Sequence, residues 1–241
     1  MFDIIGDVHG CYGELVLLLE KLGYESEDPF LIPYTHPRGR QAVFVGDLVD
    51  RGPNSPGVVA IVRQMVKTGT GLCVIGNHDH KLLRYLKGNK VKVGKALADC
   101  LNQIDSKNIL SKKEIIKFFE KLPYKLLLDS DQLLVCHAGL KEKYHLMEEN
   151  KIVRAKCLYG ETTGKTDLKG FPIRLPWQKD YRGNRIVVHG HTPLEEPSIE
   201  NRIYSIDTSC CFGGKLTALR YPEMKLMSQK AFSNYWIRGE K

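Results

Sequence analysis

Seven cysteines in 241 residues, odd in number and without one C-x-x-C pair, give this chain no spacing for a disulfide framework or a sulfur-ligated zinc site. Cys73 and Cys136 fall inside apolar runs, where a small buried hydrophobe is all that is required. Nothing local to Cys210 and Cys211 supplies the basic surround that would activate this vicinal pair. No apolar stretch approaches the roughly 20 residues needed to span a bilayer. A candidate strand starts at Phe2, ahead of any room for a leader segment, so a cytoplasmic location is expected. Internal repeats, low-complexity tracts and an obvious linker are also missing. One phosphate-cradling signature fails by a residue: Gly160-Glu-Thr-Thr-Gly164-Lys165-Thr166 is shorter than G-x-x-x-x-G-K-T, and no strand pattern feeds it. A nucleoside-triphosphate kinase is therefore not expected.

What is present is an ordinary globular composition, 42% hydrophobic and 27% charged, on a length that supports one large core. The net charge of +8 is uneven. Residues 78–185 hold 23 Lys and Arg against 13 Asp and Glu, a net of +10, while the remainder is slightly acidic. A basic surround of this kind draws in polyanions.

Strand and helix patterns alternate. Met1–Gly6 reads as a strand, Tyr12–Leu22 as a helix with Leu15, Leu18, Leu19 and Leu22 on one face, and a loop of about 18 residues follows. Ala42–Val45, Pro56–Lys67, Leu72–Ile75 and a short helix ending at Leu86 continue the alternation. Positions 91–124 read as helical throughout, with a capping box at Ser111-x-x-Glu114 and a stop at Pro123. Strands return at Leu133–Cys136, Arg185–Val188, Ile203–Ile206 and Leu216–Tyr221. The pattern predicts an α/β chain with one domain over 1–241, a helical insertion at about 91–124 and a loop-rich insertion at about 139–185.

Five of the apolar runs end in metal-seeking side chains: Asp7 and His9, Asp47, Asn77, His137, then His189 and His191. Gly6 and Gly10 allow the sharp turn that would bring Asp7 and His9 to one ion. Asp47 carries two carboxylate oxygens and suits a bridge. Oxygen and imidazole donors together suit a hydrolytic site, and strand carboxyl ends are where open α/β sheets bind ligands. His36, His80 and His145 lack a partner pattern and read as surface residues.

The ordered blocks GDVHG, GDLVDRG, GNHD, CHAG and GHTP resemble the calcineurin-like metallophosphoesterase superfamily, in its phosphoprotein-phosphatase branch. The resemblance runs from Asp3 to about Tyr221. It implies a two-sheet sandwich flanked by helices, four layers in all, and two divalent ions. Asp7, His9 and Asp47 would hold one ion; Asp47, Asn77, His137 and His191 would hold the other. Mn²⁺ is the first choice, with Ni²⁺, Fe²⁺ and Zn²⁺ open, since mixed nitrogen and oxygen ligation admits all four. Two such ions clamp a phosphate and generate a nucleophile from water. His78 is then expected to protonate the leaving oxygen, Asp50 to orient it, and Arg51 to fork onto a phosphate oxygen. The resemblance makes Asp207 a supporting acceptor beside a metal histidine. It prefers His191 to His189 as ligand, leaving His189 a supporting role. Asp79 stands where protein phosphatases of the branch usually carry Glu.

Finer similarity points to two related groups: the phosphatase module of bacterial polynucleotide kinase-phosphatases, and stand-alone bacterial phosphatases similar to diadenosine tetraphosphatases. The first choice is hydrolysis of phosphoesters of nucleotides or of polynucleotide ends (2′- or 3′-phosphate, or 2′,3′-cyclic phosphate), with separate kinase or ligase repair proteins as partners. The alternatives are an asymmetric diadenosine-tetraphosphate hydrolase and a protein Ser/Thr phosphatase; an inactive RNA-binding module is disfavoured by the intact ligand set. Tyr159, Trp177 and Tyr181 are candidates for stacking on a base.

Overall fold

Side chains on successive strand residues point to opposite faces, and here that alternation sorts the core into three compartments. The computed structural model describes residues 1–167 and 172–237; the ends of the expected domain at 238–241 and part of the 139–185 insertion, 168–171, lie outside the described residues. In chain order the elements are β1 (Phe2–Ile5), α1 (Tyr12–Leu22), β2 (Gln41–Phe44), α2 (Ser55–Thr68), β3 (Gly71–Cys73), α3 (Asn77–Leu86), α4 (Lys95–Lys107) and α5 (Lys112–Phe119). They continue with β4 (Lys125–Leu128), β5 (Leu133–Cys136), α6 (Lys151–Tyr159), β6 (Thr162–Thr166), β7 (Pro172–Arg174), β8 (Ile186–His189), β9 (Ser198–Glu200), β10 (Ile203–Ser205), β11 (Lys215–Tyr221) and β12 (Lys225–Lys230).

One sheet has the order β12-β11-β1-β2-β3 and the other β4-β5-β8-β10-β9. The inner strands of each run parallel, β1, β2 and β3 in the first and β5, β8 and β10 in the second. Ile4 and Val43 face Leu133, Val135 and Val188 between the sheets. Their neighbours Ile5, Ala42 and Phe44 turn the other way, onto the leucine stripe of α1 and onto α2. On the far side of the second sheet, Leu134, Cys136 and Val187 pack under Val153 and Cys157 of α6 and under Trp177 and Tyr181. Helices, sheet, sheet and a thinner helical layer make the expected four layers. Truncating a fully buried leucine such as Leu18 to Ala would cost about 2–5 kcal/mol.

Three expectations are corrected. Positions 91–124 are not helical throughout: 91–94 precede α4 and Asn108, in a left-handed conformation (φ 48°), closes it, while the Ser111–Glu114 box opens α5 as expected. His145 is fully buried, donating from Nε2 to Leu140 O at 2.8 Å, and His36 and His80 are half-buried, so none of the three is a plain surface residue. Trp177 and Tyr181 are buried in the third core rather than forming an open stacking surface, Trp177 keeping an edge on a neighbouring cavity; of the three only Tyr159 is exposed. The residues of the near-P-loop form β6, an edge strand paired antiparallel with β7, rather than a phosphate cradle.

Candidate metal centre

Five parallel strands from the two sheets end at one place, and each hands over to a tight turn. His9, Asp47, Asp50, Arg51 and His191 all take positive φ, between 45° and 72°, a region costly for residues with a Cβ. Close packing makes glycine obligatory beside them. A Cβ at Gly190 would collide with Asp7 Oδ1, and one at Gly76 with the backbone nitrogen of Asp47.

The donor atoms fall into two groups that share Asp47. In the first, His9 Nε2 lies 3.5 Å from Asp47 Oδ2, with His78 close by. In the second, Asp47 Oδ2 lies 3.4 Å from His137 Nε2. Asn77 Oδ1 is 2.9 Å and His191 Nδ1 3.0 Å from the same nitrogen. His9 Nδ1 donates to Val49 O at 2.9 Å, and His137 Nδ1 donates to Val45 O at 3.0 Å. Those carbonyls accept only, so each ring holds its proton on Nδ1 and aims the Nε2 lone pair inward. Lone pairs of His137 and Asn77 and the charge of Asp47 thus converge, an arrangement that a cation among them would stabilise.

Two arginines border the centre. Arg51 donates from Nη1 to His9 Nε2 (2.7 Å) and from Nη2 to His78 Nε2 (3.0 Å). Arg174 donates from Nη2 to His191 Nε2 at 2.7 Å, while its Nη1 donates to Tyr159 O. His78 Nδ1 donates to the buried Asp50 at 2.6 Å, and its backbone N–H donates to Asp47 Oδ1. Gln103 of α4 grips the Asp50–Arg51 loop from behind, accepting from Ser55 N and donating to Gly52 O.

Electrostatics agree with a cation-seeking site. Burial, then the carboxylates of Asp207 and Asp47, push Asp7 well above the usual carboxylate range. Its Oδ2 accepts from His191 N at 3.0 Å, but its buried Oδ1 has no donor among the described residues. Burial holds His9, His137 and His191 below the ordinary imidazole value, hence neutral and able to ligate. Asp47 is held below its usual range although burial opposes this, an effect that the four surrounding histidines, His137 foremost, exert only when they carry a proton. The donor set fits divalent cations.

All six candidate ligands and the three expected catalytic residues therefore converge, with Asp7 set slightly apart from the two tightest groups. His189 lies behind them, hydrogen-bonded to Ser205 Oγ and Gly190 O, in neither group. Asp207 acts on Asp7 and accepts from Ser209 N. Asp79 is fully buried; it caps α3 through Gly76 N and holds the β2 turn through Leu48 N. Arg174 and Gln103 escaped the sequence reading. Neither sits in a motif, and each reaches the centre from an insertion.

The calcineurin-like phosphoesterase family model matches residues 1–227. The chain belongs to that family. This phosphoesterase is 43% identical, over 94% of its length and 92% of the relative's, to the asymmetrical bis(5′-nucleosyl)-tetraphosphatase PrpE of Halalkalibacterium halodurans. The protein of the same name from Geobacillus sp. is 42% identical over 94% of the phosphoesterase and 92% of the relative. Among solved structures, a putative diadenosine tetraphosphatase superposes with TM-score 0.69 at 23% identity, covering 96% of the phosphoesterase and 93% of that chain. A Saccharomyces cerevisiae protein serine/threonine phosphatase gives 0.65 at 15%, covering 96% and 79%. At those identities the two structures speak for the fold alone. No helix among the described residues is long and apolar enough to cross a membrane.

Proposed function

We propose that this phosphoesterase hydrolyses dinucleoside tetraphosphates asymmetrically, to one nucleoside triphosphate and one nucleoside monophosphate. The observation that carries the substrate is the 43% identity to a relative of that activity, spread over 94% of the chain. The reading replaces the polynucleotide-end preference, because curated relatives matched over nearly the whole chain carry the tetraphosphatase name. Asp7, His9, Asp47, Asn77, His137 and His191 would hold two divalent cations, Mn²⁺ the first to supply. Such cations polarise a phosphate and lower the pKa of water at neutral pH. Asp47, whose Oδ2 lies between the two histidine groups, ties them into one unit. Arg51 and Arg174 flank the centre from opposite ends, placed to exchange their histidine contacts for non-bridging phosphate oxygens. His78, fixed by Asp50, would carry a proton on Nε2 to the leaving oxygen once Arg51 turns from that nitrogen to a phosphate oxygen.

The test is product analysis. With Mn²⁺ and diadenosine tetraphosphate, ATP and AMP should appear in equal amounts. Two molecules of ADP, or a kcat/KM at least tenfold higher on RNA ending in a 2′,3′-cyclic phosphate, would overturn the assignment.

A further inference from the structure

Against the His191 half of the centre lies a separate cavity of ≈ 270 Å³. Ala138 and Thr192, the residues that follow His137 and His191, form part of its wall, and Arg174 stands between it and the centre. Its lining combines apolar Pro176, Trp177 and Ile203 with polar Glu161, Gln178 and Glu200. The Glu161 side chain is only 10% exposed. Its Oε2 accepts from Lys156 Nζ at 2.9 Å, but its Oε1 is buried with no donor among the described residues. A buried acceptor left in that state costs about 1–3 kcal/mol, so its persistence at a pocket wall asks for a ligand that donates.

We propose that this pocket is a nucleoside subsite: it takes one nucleoside of the substrate, with Glu161 Oε1 accepting from a ribose hydroxyl or a base amine. Within the lining Glu161 is already paired with Lys156 and the one cation among the described residues there, Arg174, stands at the end facing the centre, so the phosphates stay with Arg174 and Arg51 and the uncharged, donor-rich end enters. Carboxylates take ribose hydroxyls in the same way in dinucleotide-binding folds. At ≈ 270 Å³ the cavity is just below the roughly 300–1,000 Å³ of small-ligand sites, a size for one nucleoside at most, which leaves the second outside. The inference rests on the dinucleoside-tetraphosphate reading, and it supplies a cause for asymmetry. A nucleoside seated beyond Arg174 brings its own α-phosphorus to the centre. Water oxygen bonds to that phosphorus, and the bond from it to the first bridging oxygen breaks with the electron pair staying on oxygen. His78 protonates that oxygen; one proton of the water restores His78 and the other goes to solvent. The nucleoside triphosphate departs and the monophosphate remains in the pocket.

Calorimetric titration of the Mn²⁺-loaded full chain with AMP and with inorganic phosphate tests the pocket without turnover. The wild type should bind AMP at least thirtyfold more tightly than phosphate. Ser198→Trp, which fills the pocket from its exposed β9 wall, and Glu161→Gln, which keeps the shape, should each cut that ratio at least fivefold. A ratio near one in the wild type, or one unchanged in both variants, overturns the subsite. Cleavage in H₂¹⁸O should put the label in AMP; label in ATP overturns the placement of the α-phosphorus. If AMP is preferred but diadenosine tetraphosphate is not cleaved to ATP and AMP, the substrate reading fails while the pocket stands.

Discussion

Around His9, the polar and ring partners come from two adjoining turns: Asp47, Val49 and Arg51 follow β2, and His78 lies in the first turn of α3. Around His191, the cationic partner comes instead from β7, a strand of the two-stranded arm in the second insertion. The first half is thus built from the turns that follow β2 and β3, with Gln103 of α4 bracing the Asp50–Arg51 loop. The second takes Arg174 from an appended pair of strands, and Arg174 with the residues after β7, Leu175 to Gln178, forms part of the wall of the cavity that abuts it. Chemistry and substrate choice are divided between these halves.

Asp47→Asn should break the comparison altogether, because one oxygen serves both halves. We expect kcat to fall by about 10³-fold or more, several kcal/mol of barrier, with cation stoichiometry below two by calorimetry; two bound ions and a kcat within tenfold of wild type would separate the halves. His78→Ala tests the first half. The loss should be about 10²–10⁴-fold on diadenosine tetraphosphate, and much smaller on an aryl phosphodiester whose leaving group needs no proton. Equal losses on both would remove His78 from proton delivery.

Arg51→Lys and Arg174→Lys set the halves directly against each other. Each should lower kcat/KM about tenfold to a hundredfold, the value of a charged hydrogen bond. Only Arg174→Lys should also weaken AMP binding relative to phosphate. Identical profiles would make the hairpin arginine a duplicate of its partner.

The smallest effect is on stability. Burial draws His189, behind the second half, down to about 4, against about 6.5 in an unfolded chain. Below 6.5 the unfolded chain binds a proton that the folded one refuses, so stability is lost as pH falls from 6.5 towards 4, by up to about 3 kcal/mol. In chelator, the urea-midpoint advantage of wild type over His189→Gln should shrink across that window. A flat difference would show that the ring is not held neutral.

The ligand-bearing strands were legible because glycine, cap residues and apolar runs mark them locally: β1, β2, β3, β5 and β8 lie within two residues of expectation. The family relationship, read from the five ordered blocks, came from the same residues. Weak local signals hid the rest. Lys125–Leu128 shows no alternation, α6 is nine residues begun by an Asn150 cap, and β12 carries mostly polar side chains. Arg174 was illegible for a different reason, since nothing within one sequence couples position 174 to position 191. Trp177 and Tyr181 looked available because a loop-rich stretch gives no sign of the core beneath it.

The left-handed backbone of His9, Asp47, Asp50, Arg51 and His191 has a consequence for how this enzyme can change. Each of these conformations costs of order 1–3 kcal/mol, and glycine would relieve it while deleting the donor. Selection for heat resistance and selection for turnover therefore pull on the same five positions in opposite directions. A thermostable descendant should gain its stability far from the strand ends and leave these five as they are.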